Sequence, residues 1–171
     1  MKIVIQRELA VEAADVWELL GERFADIGVW SDGVVKSQLD GPLAEGSLRT
    51  CELKPSSAAS GTVQERISKF DRQARALSYV IVSGLPGFMR RVENNWTMEP
   101  LGASRSRVTS VVTIKLAWWM LPMSPIIGRQ FTKLLTGFMT EIEANAGAKS
   151  AGAGKATGSG AANLAGQLSP T

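Results

Sequence analysis

Apolar and polar residues change period three times along the chain, and each change marks a boundary between elements. From Lys2 to Leu9 they alternate, placing Ile3, Ile5 and Leu9 on one face in the pattern of a half-buried strand. Val11–Phe24 then carries Ala13, Val16, Trp17, Leu20 and Phe24 at helical spacing, with Glu12, Asp15, Glu18 and Glu22 opposite, in one helix or two short ones. A turn region follows, Gly28 to Gly33. Six short β-like runs come next: Gly33–Leu39, Gly46–Leu53, Gly61–Phe70, Ala76–Ser83, Arg90–Glu99 and Ser106–Leu116. Turn-forming residues separate them at Asp40-Gly41-Pro42, Pro55–Ser60, Asp71–Arg75, Gly84–Gly87 and Pro100–Ser104. After Pro122 and Pro125 the period becomes helical again. Ile127, Phe131, Leu134, Leu135, Phe138 and Ile142 form one stripe through residues 125–146, with Arg129, Lys133, Glu141 and Glu143 on the other side.

This order predicts an α+β domain over residues 1–146, a curved antiparallel sheet with a long C-terminal helix across its concave face. Residues 147–171 differ in kind, with 7 Ala, 6 Gly and no aromatic residue, and are expected to form an unstructured tail. Gly152-Ala153-Gly154-Lys155 has the look of a phosphate loop but lacks its first Gly, its Ser/Thr and a preceding strand.

Composition removes whole classes of chemistry. The 171 residues include no His and one Cys, so no His-dependent nucleophile pair, HExxH zinc helix, internal disulfide or Cys-rich zinc site is possible. No metal or cofactor is expected. The lone Cys fits a reducing compartment, the charged start lacks a secretory apolar region, and Val111–Ile127 is interrupted by Lys115 and two Pro. A cytoplasmic protein without a transmembrane segment is therefore expected. The formal charge of +3 includes Lys149 and Lys155 of the tail; the body keeps 17 basic against 16 acidic residues. Its nearest approach to a basic cluster is Arg90-Arg91 with Arg105 and Arg107, too thin a footprint for nucleic acid.

Element order and several local marks resemble the START-like helix-grip (SRPBCC) superfamily, in particular its polyketide cyclase/dehydrase and lipid-transport branch. The marks are Glu12–Leu20 with its Val16-Trp17 step, Asp26-Ile27-Gly28-Val29-Trp30, Gly46-Ser47-Leu48-Arg49 and Gly61–Ile67. Phe70-Asp71, Leu77-Ser78-Tyr79 and Asn95–Pro100 complete them, so that the likeness spans residues 2–144. The resemblance implies a sheet wrapped around the C-terminal helix, enclosing a largely apolar cavity for lipids, hormones, polyketides or similar molecules. A minority of members are enzymes. It also implies that Trp30, near the first hairpin, belongs to the site.

Strand alternation singles out inward polar residues. Glu65 shares a face with Val63 and Ile67, a carboxylate among apolar neighbours, and is a candidate ligand anchor or acid/base unless an inward Arg or rim water meets its charge. Glu65-Arg66-Ile67 also resembles the Glu-Arg-Leu of plant hormone receptors of the superfamily, in which the Glu lines the pocket. Asn94 lies between Val92, Trp96 and Met98, either as a polar spot in the cavity or as an amide satisfied by backbone. Tyr79, the only tyrosine, is core or ligand contact. Cys51 reads as a small buried residue rather than a nucleophile. Phe131, Leu134, Leu135 and Phe138 would supply the cavity floor. Trp118-Trp119-Met120-Leu121-Pro122, after the last strand, is a cavity mouth, a membrane-touching lip or core at a tight junction.

The leading expectation is a binder, transporter or sensor of a hydrophobic small molecule. Its alternatives are a cyclase or dehydratase that uses Glu65 to move a proton and a protein-interaction module.

Overall fold

The computed structural model describes residues 1–55 and 61–158, with side chains as far as Ala148. Strand β1 (Lys2–Leu9) leads into a helical passage made of α1 (Ala13–Trp17), a π-helical turn (Glu18–Glu22), a 3-10 turn (Phe24–Asp26) and α2 (Ile27–Trp30). Six strands follow: β2 (Val34–Asp40), β3 (Leu48–Leu53), β4 (Gly61–Asp71), β5 (Ala76–Ser83), β6 (Met89–Pro100) and β7 (Ser106–Leu116). A 3-10 turn (Trp118–Met123) then hands the chain to the long helix α3 (Ser124–Gly158). All six runs expected to be strands are strands, with ends shifted by at most a few residues.

The strands form one antiparallel sheet in the order β1-β7-β6-β5-β4-β3-β2, so that its edges, β1 and β2, are joined by the helical passage. Alternation explains which face is buried. On β7, Ser106, Val108, Ser110, Val112 and Ile114 turn inward, and on β6 Val92, Asn94, Trp96 and Met98 do the same. Facing pairs complement each other in size, the large Trp96 standing opposite the small Ser110. Register shifts between Gln64 and Glu65, between Ile67 and Lys69, and near Val34 and Met89 bend the sheet into its curve.

Helix α3 crosses the concave face with Leu135, Met139, Ile142 and Ala146 buried. Leu135, Met139 and Ile142 each contribute about 1.5–3 kcal/mol by leaving water. The observed stripe corrects the sequence reading at two positions. Leu134 is 55% exposed, because it sits about 100° round the helix from Leu135, while Met139, absent from the expected stripe, is fully buried. The Trp118–Met123 turn is not core: Trp118 is 82% exposed and Trp119 55%.

Helix α3 continues through Gly158, past the expected boundary at Ala146, in a stretch whose Ala content favours helix. The remainder of the expected tail, 159–171, and most of the Pro55–Ser60 breaker lie outside the described residues. Two glycines fix close approaches. A Cβ on Gly28 would stand 3.3 Å from Lys36 Cα, so its absence lets α2 seat Trp30 against β2. Gly84, with φ of +86°, closes on Thr62 at a distance that would put a Cβ 2.2 Å from its carbonyl oxygen.

Candidate functional site

Arg49 on β3 and Glu65 on β4 are directly opposed in register, and both side chains turn inward, each alternating with less buried neighbours. Their ion pair is buried, with 3% and 9% of the two side chains exposed. Arg49 Nε donates to Glu65 Oε2 at 2.8 Å, Nη2 donates to the same oxygen, and Nη1 donates to the Phe24 carbonyl at 2.6 Å. The guanidinium lies 3.4 Å above the Phe24 ring centroid and 5.7 Å from that of Tyr79. Burial works against the charge on Arg49, yet Glu65, with smaller help from Cys51 and Tyr79, outweighs it and leaves the Arg49 pKa raised.

The polar groups continue strand by strand. Tyr79 on β5 stands opposite Asn94 on β6, whose Nδ2 donates to the phenol oxygen at 3.3 Å. Ser110 Oγ on β7 donates to Asn94 Oδ1 at 2.8 Å. Burial, then the charge of Glu65, pushes the Tyr79 pKa up to about 12. Five adjacent strands thus each contribute one side chain to a polar belt: Arg49, Glu65, Tyr79, Asn94 and Ser110.

An aromatic seam runs above this belt. Phe138 of α3 stacks between Trp30 and Trp96, at ring-centroid distances of 5.2 and 5.8 Å. Between seam and belt lies a cavity of about 20 Å³, space for a water molecule or two. Leu19, Leu20, Phe24, Ile27 and Leu77 complete its lining with Arg49, Tyr79 and the three seam residues. Trp30 Nε1 is buried with no hydrogen-bond acceptor among the described residues. The Trp30 carbonyl is held by Asn145 Nδ2 at 3.3 Å, tying α2 to α3. A larger concavity, about 480 Å³ and open to solvent, lies on the β2–β4 region, where Lys36, Gln38, Asp40, Thr50, Glu52 and Thr62 make it polar.

The structure brings some of the expected residues together and separates others. Trp30, Tyr79, Trp96 and Phe138 line the cavity, and Glu65 and Asn94 hold its wall residues. Glu65 meets an inward Arg, which was the alternative to a free carboxylate. Asn94 is satisfied by two side chains rather than by backbone. Cys51 and Val63 belong to a smaller cluster with Ile27 and Val34 that abuts Trp30 and Phe138. Met98 and Leu135 are buried core, Phe131 packs on its margin, and Leu134 faces solvent. The Cys51 thiol is buried, its pKa pushed up by desolvation, with Sγ 3.6 Å from Ser37 Oγ. Among the described residues no group of three or more acidic, Cys or His side chains could hold a metal ion.

Arg49 and Ser110 are the belt residues that the sequence reading did not place in the site. The signal for Arg49 was present: it shares the inward parity of Cys51, two positions along β3.

A seven-stranded sheet gripping a long helix defines the helix-grip fold of START-like proteins. The family model described as polyketide cyclase / dehydrase and lipid transport matches residues 1–147, and the chain belongs to that family. Solved structures agree in fold. Norcoclaurine synthase from Thalictrum flavum, in complex with dopamine and hydroxybenzaldehyde, superposes with a TM-score of 0.69 at 17% identity, covering 84% of each chain. Ara h 8.0201 gives 0.71 at 13% identity, covering 85% of this chain and 97% of its own. A START superfamily protein from Mycobacterium smegmatis gives 0.70 at 11% identity, covering 85% and 96%. No curated protein matches by sequence.

Proposed function

We propose that the protein binds a hydrophobic small molecule between the sheet and α3, in the space that Phe138 and Trp30 occupy in this closed form. The observation that carries this reading is the polar belt laid against an aromatic seam. A ligand that displaces Phe138 gains an apolar bed of Leu19, Leu20, Phe24, Leu77 and Trp96. Its polar group meets hydrogen-bonding side chains already oriented by their neighbours, so little ordering cost remains. The unsatisfied indole N–H of Trp30 offers one further donor.

At about 20 Å³ the closed cavity admits no such ligand, so binding requires α3 to move. Phe138 lies between the buried Leu135 and Met139, so its ring must turn aside within the embedded part, while the stretch from Ser124 to Leu134, where no residue is buried, is the part of the helix free to shift with it. Binding is favoured over catalysis because the Glu65 carboxylate already accepts two N–H groups of Arg49 and no imidazole exists to share proton transfer.

Titration with a fluorescent apolar probe, together with native mass spectrometry of the purified protein, tests the reading. Phe138→Ala should bind the probe more tightly than the wild type, because it removes the ring that fills the space. Absence of both probe binding and co-purified ligand, in wild type and variant alike, overturns it.

A further inference from the structure

We propose that the end of the molecule formed by the Trp118–Met123 turn and the first turn of α3 docks on an anionic lipid bilayer. Five exposed apolar side chains are gathered there within nine positions: Trp118 is 82% exposed, Trp119 55%, Leu121 58%, Met123 42% and Ile126 49%. Scattered single apolar residues on a surface need no account, but five within nine positions form a patch. Beside them lies the β5–β6 loop, joined by a 2.8 Å hydrogen bond from Ala117 N to the Phe88 carbonyl.

Charge selects the partner. From Lys115 to Thr140 the chain holds no Asp or Glu, and its cations are Lys115, Arg129 and Lys133, all exposed. None of the three forms an ion pair among the described residues, whereas Arg105 and Arg107 are held by Glu8 and Arg91 by Glu93. Arg90, at the start of β6, is exposed and forms no ion pair among the described residues either. Two exposed indoles beside a cationic flank suit the headgroup level of a membrane, where an amphipathic ring sits between acyl chains and water while Lys and Arg meet lipid phosphates and carboxylates. A second copy of the chain fits less well, because a symmetric contact would press the same cations together. No helix among the described residues is long and apolar enough to cross a membrane, so this contact lies on the surface. The inference stands on the outer surface alone and does not depend on the interior ligand.

The test is flotation of the ligand-free protein with vesicles of phosphatidylcholine, alone or with about 30 mol% phosphatidylserine, each cation near such a surface contributing about fivefold to partitioning. The protein should float with the anionic vesicles and be released by salt. Brominated acyl chains should quench its Trp fluorescence. The double variant Trp118→Ala, Trp119→Ala should lose most of that quenching, since Trp17 and Trp96 are buried and Trp30 is packed in the aromatic seam, and should lower partitioning about tenfold or more. Should that variant fold poorly, Arg129→Glu with Lys133→Glu, both exposed, should abolish anionic-vesicle binding with an unchanged circular dichroism spectrum. Equal absence of binding to both vesicle types at low salt overturns the proposal. So does self-association that the double Trp variant abolishes while vesicles are ignored.

Discussion

The two parts of helix α3 behave as different materials. From Leu135 to Ala146 it is part of the core, with Met139 and Ile142 fully buried and Arg7 of β1 fastened to Glu143 at 2.8 Å. From Ser124 to Leu134 no residue is buried, and apolar side chains such as Ile126 and Leu134 face water. Phe138 stands about one turn inside the embedded part, between Leu135 and Met139. One helix thus serves as structural pillar at one end and as movable cover at the other, and the aromatic seam lies close to where the first role gives way to the second.

The largest test of that contrast lies beneath the seam. Arg49→Ala should cost about 3–5 kcal/mol in denaturant unfolding, because it strands the Glu65 carboxylate in a buried site. Replacing both partners by Met should restore most of that stability, since the intact buried pair is a weak net stabiliser. Recovery of stability in the single variant would show that water reaches Glu65.

Met139→Ala, in the embedded part, should cost about 2–5 kcal/mol in the same measurement.

A somewhat smaller effect is set by Tyr79. With its pKa near 12 in the folded state against about 10 unfolded, the folded protein holds this proton longer. Its contribution is complete below about pH 10 and is lost as pH rises through 12, reaching about 2–3 kcal/mol. Because the chain has a single tyrosine, tyrosinate absorbance near 295 nm reads this group alone, and a midpoint near 10 in the folded protein would place the phenol in water.

Leu134→Ala, one position from the buried stripe, should change stability by no more than about 0.5 kcal/mol. A larger loss would mean that the cover is packed more firmly than its exposure shows.

Much of this architecture was legible because alternation reports a residue's neighbours on its own strand. Val63, Glu65 and Ile67 were placed inward by parity alone, and so were Asn94, Trp96 and Met98. The partner of Glu65 was less legible. Arg49 carries the right parity, but its pairing depends on the β3–β4 register across a hairpin that no local pattern specifies. The helix stripe erred at Leu134 and Met139 because Leu134 and Leu135 are both apolar and only packing decides which of them meets the sheet. The closed cavity was not legible at all. Sequence names the residues that line a space, whereas its volume depends on where the Phe138 ring comes to rest.

Strand β1 has a consequence for how the chain is made. It is made before the other six strands, yet its ladder partner is β7, and Met1 N meets the Ile114 carbonyl 113 positions further along the chain. Until β7 has been synthesised, β1 has no edge to join and the sheet no closing strand. The domain should therefore fold late in translation and in the slower range set by non-local strand pairing, with an unpaired strand exposed to chaperones in the interval.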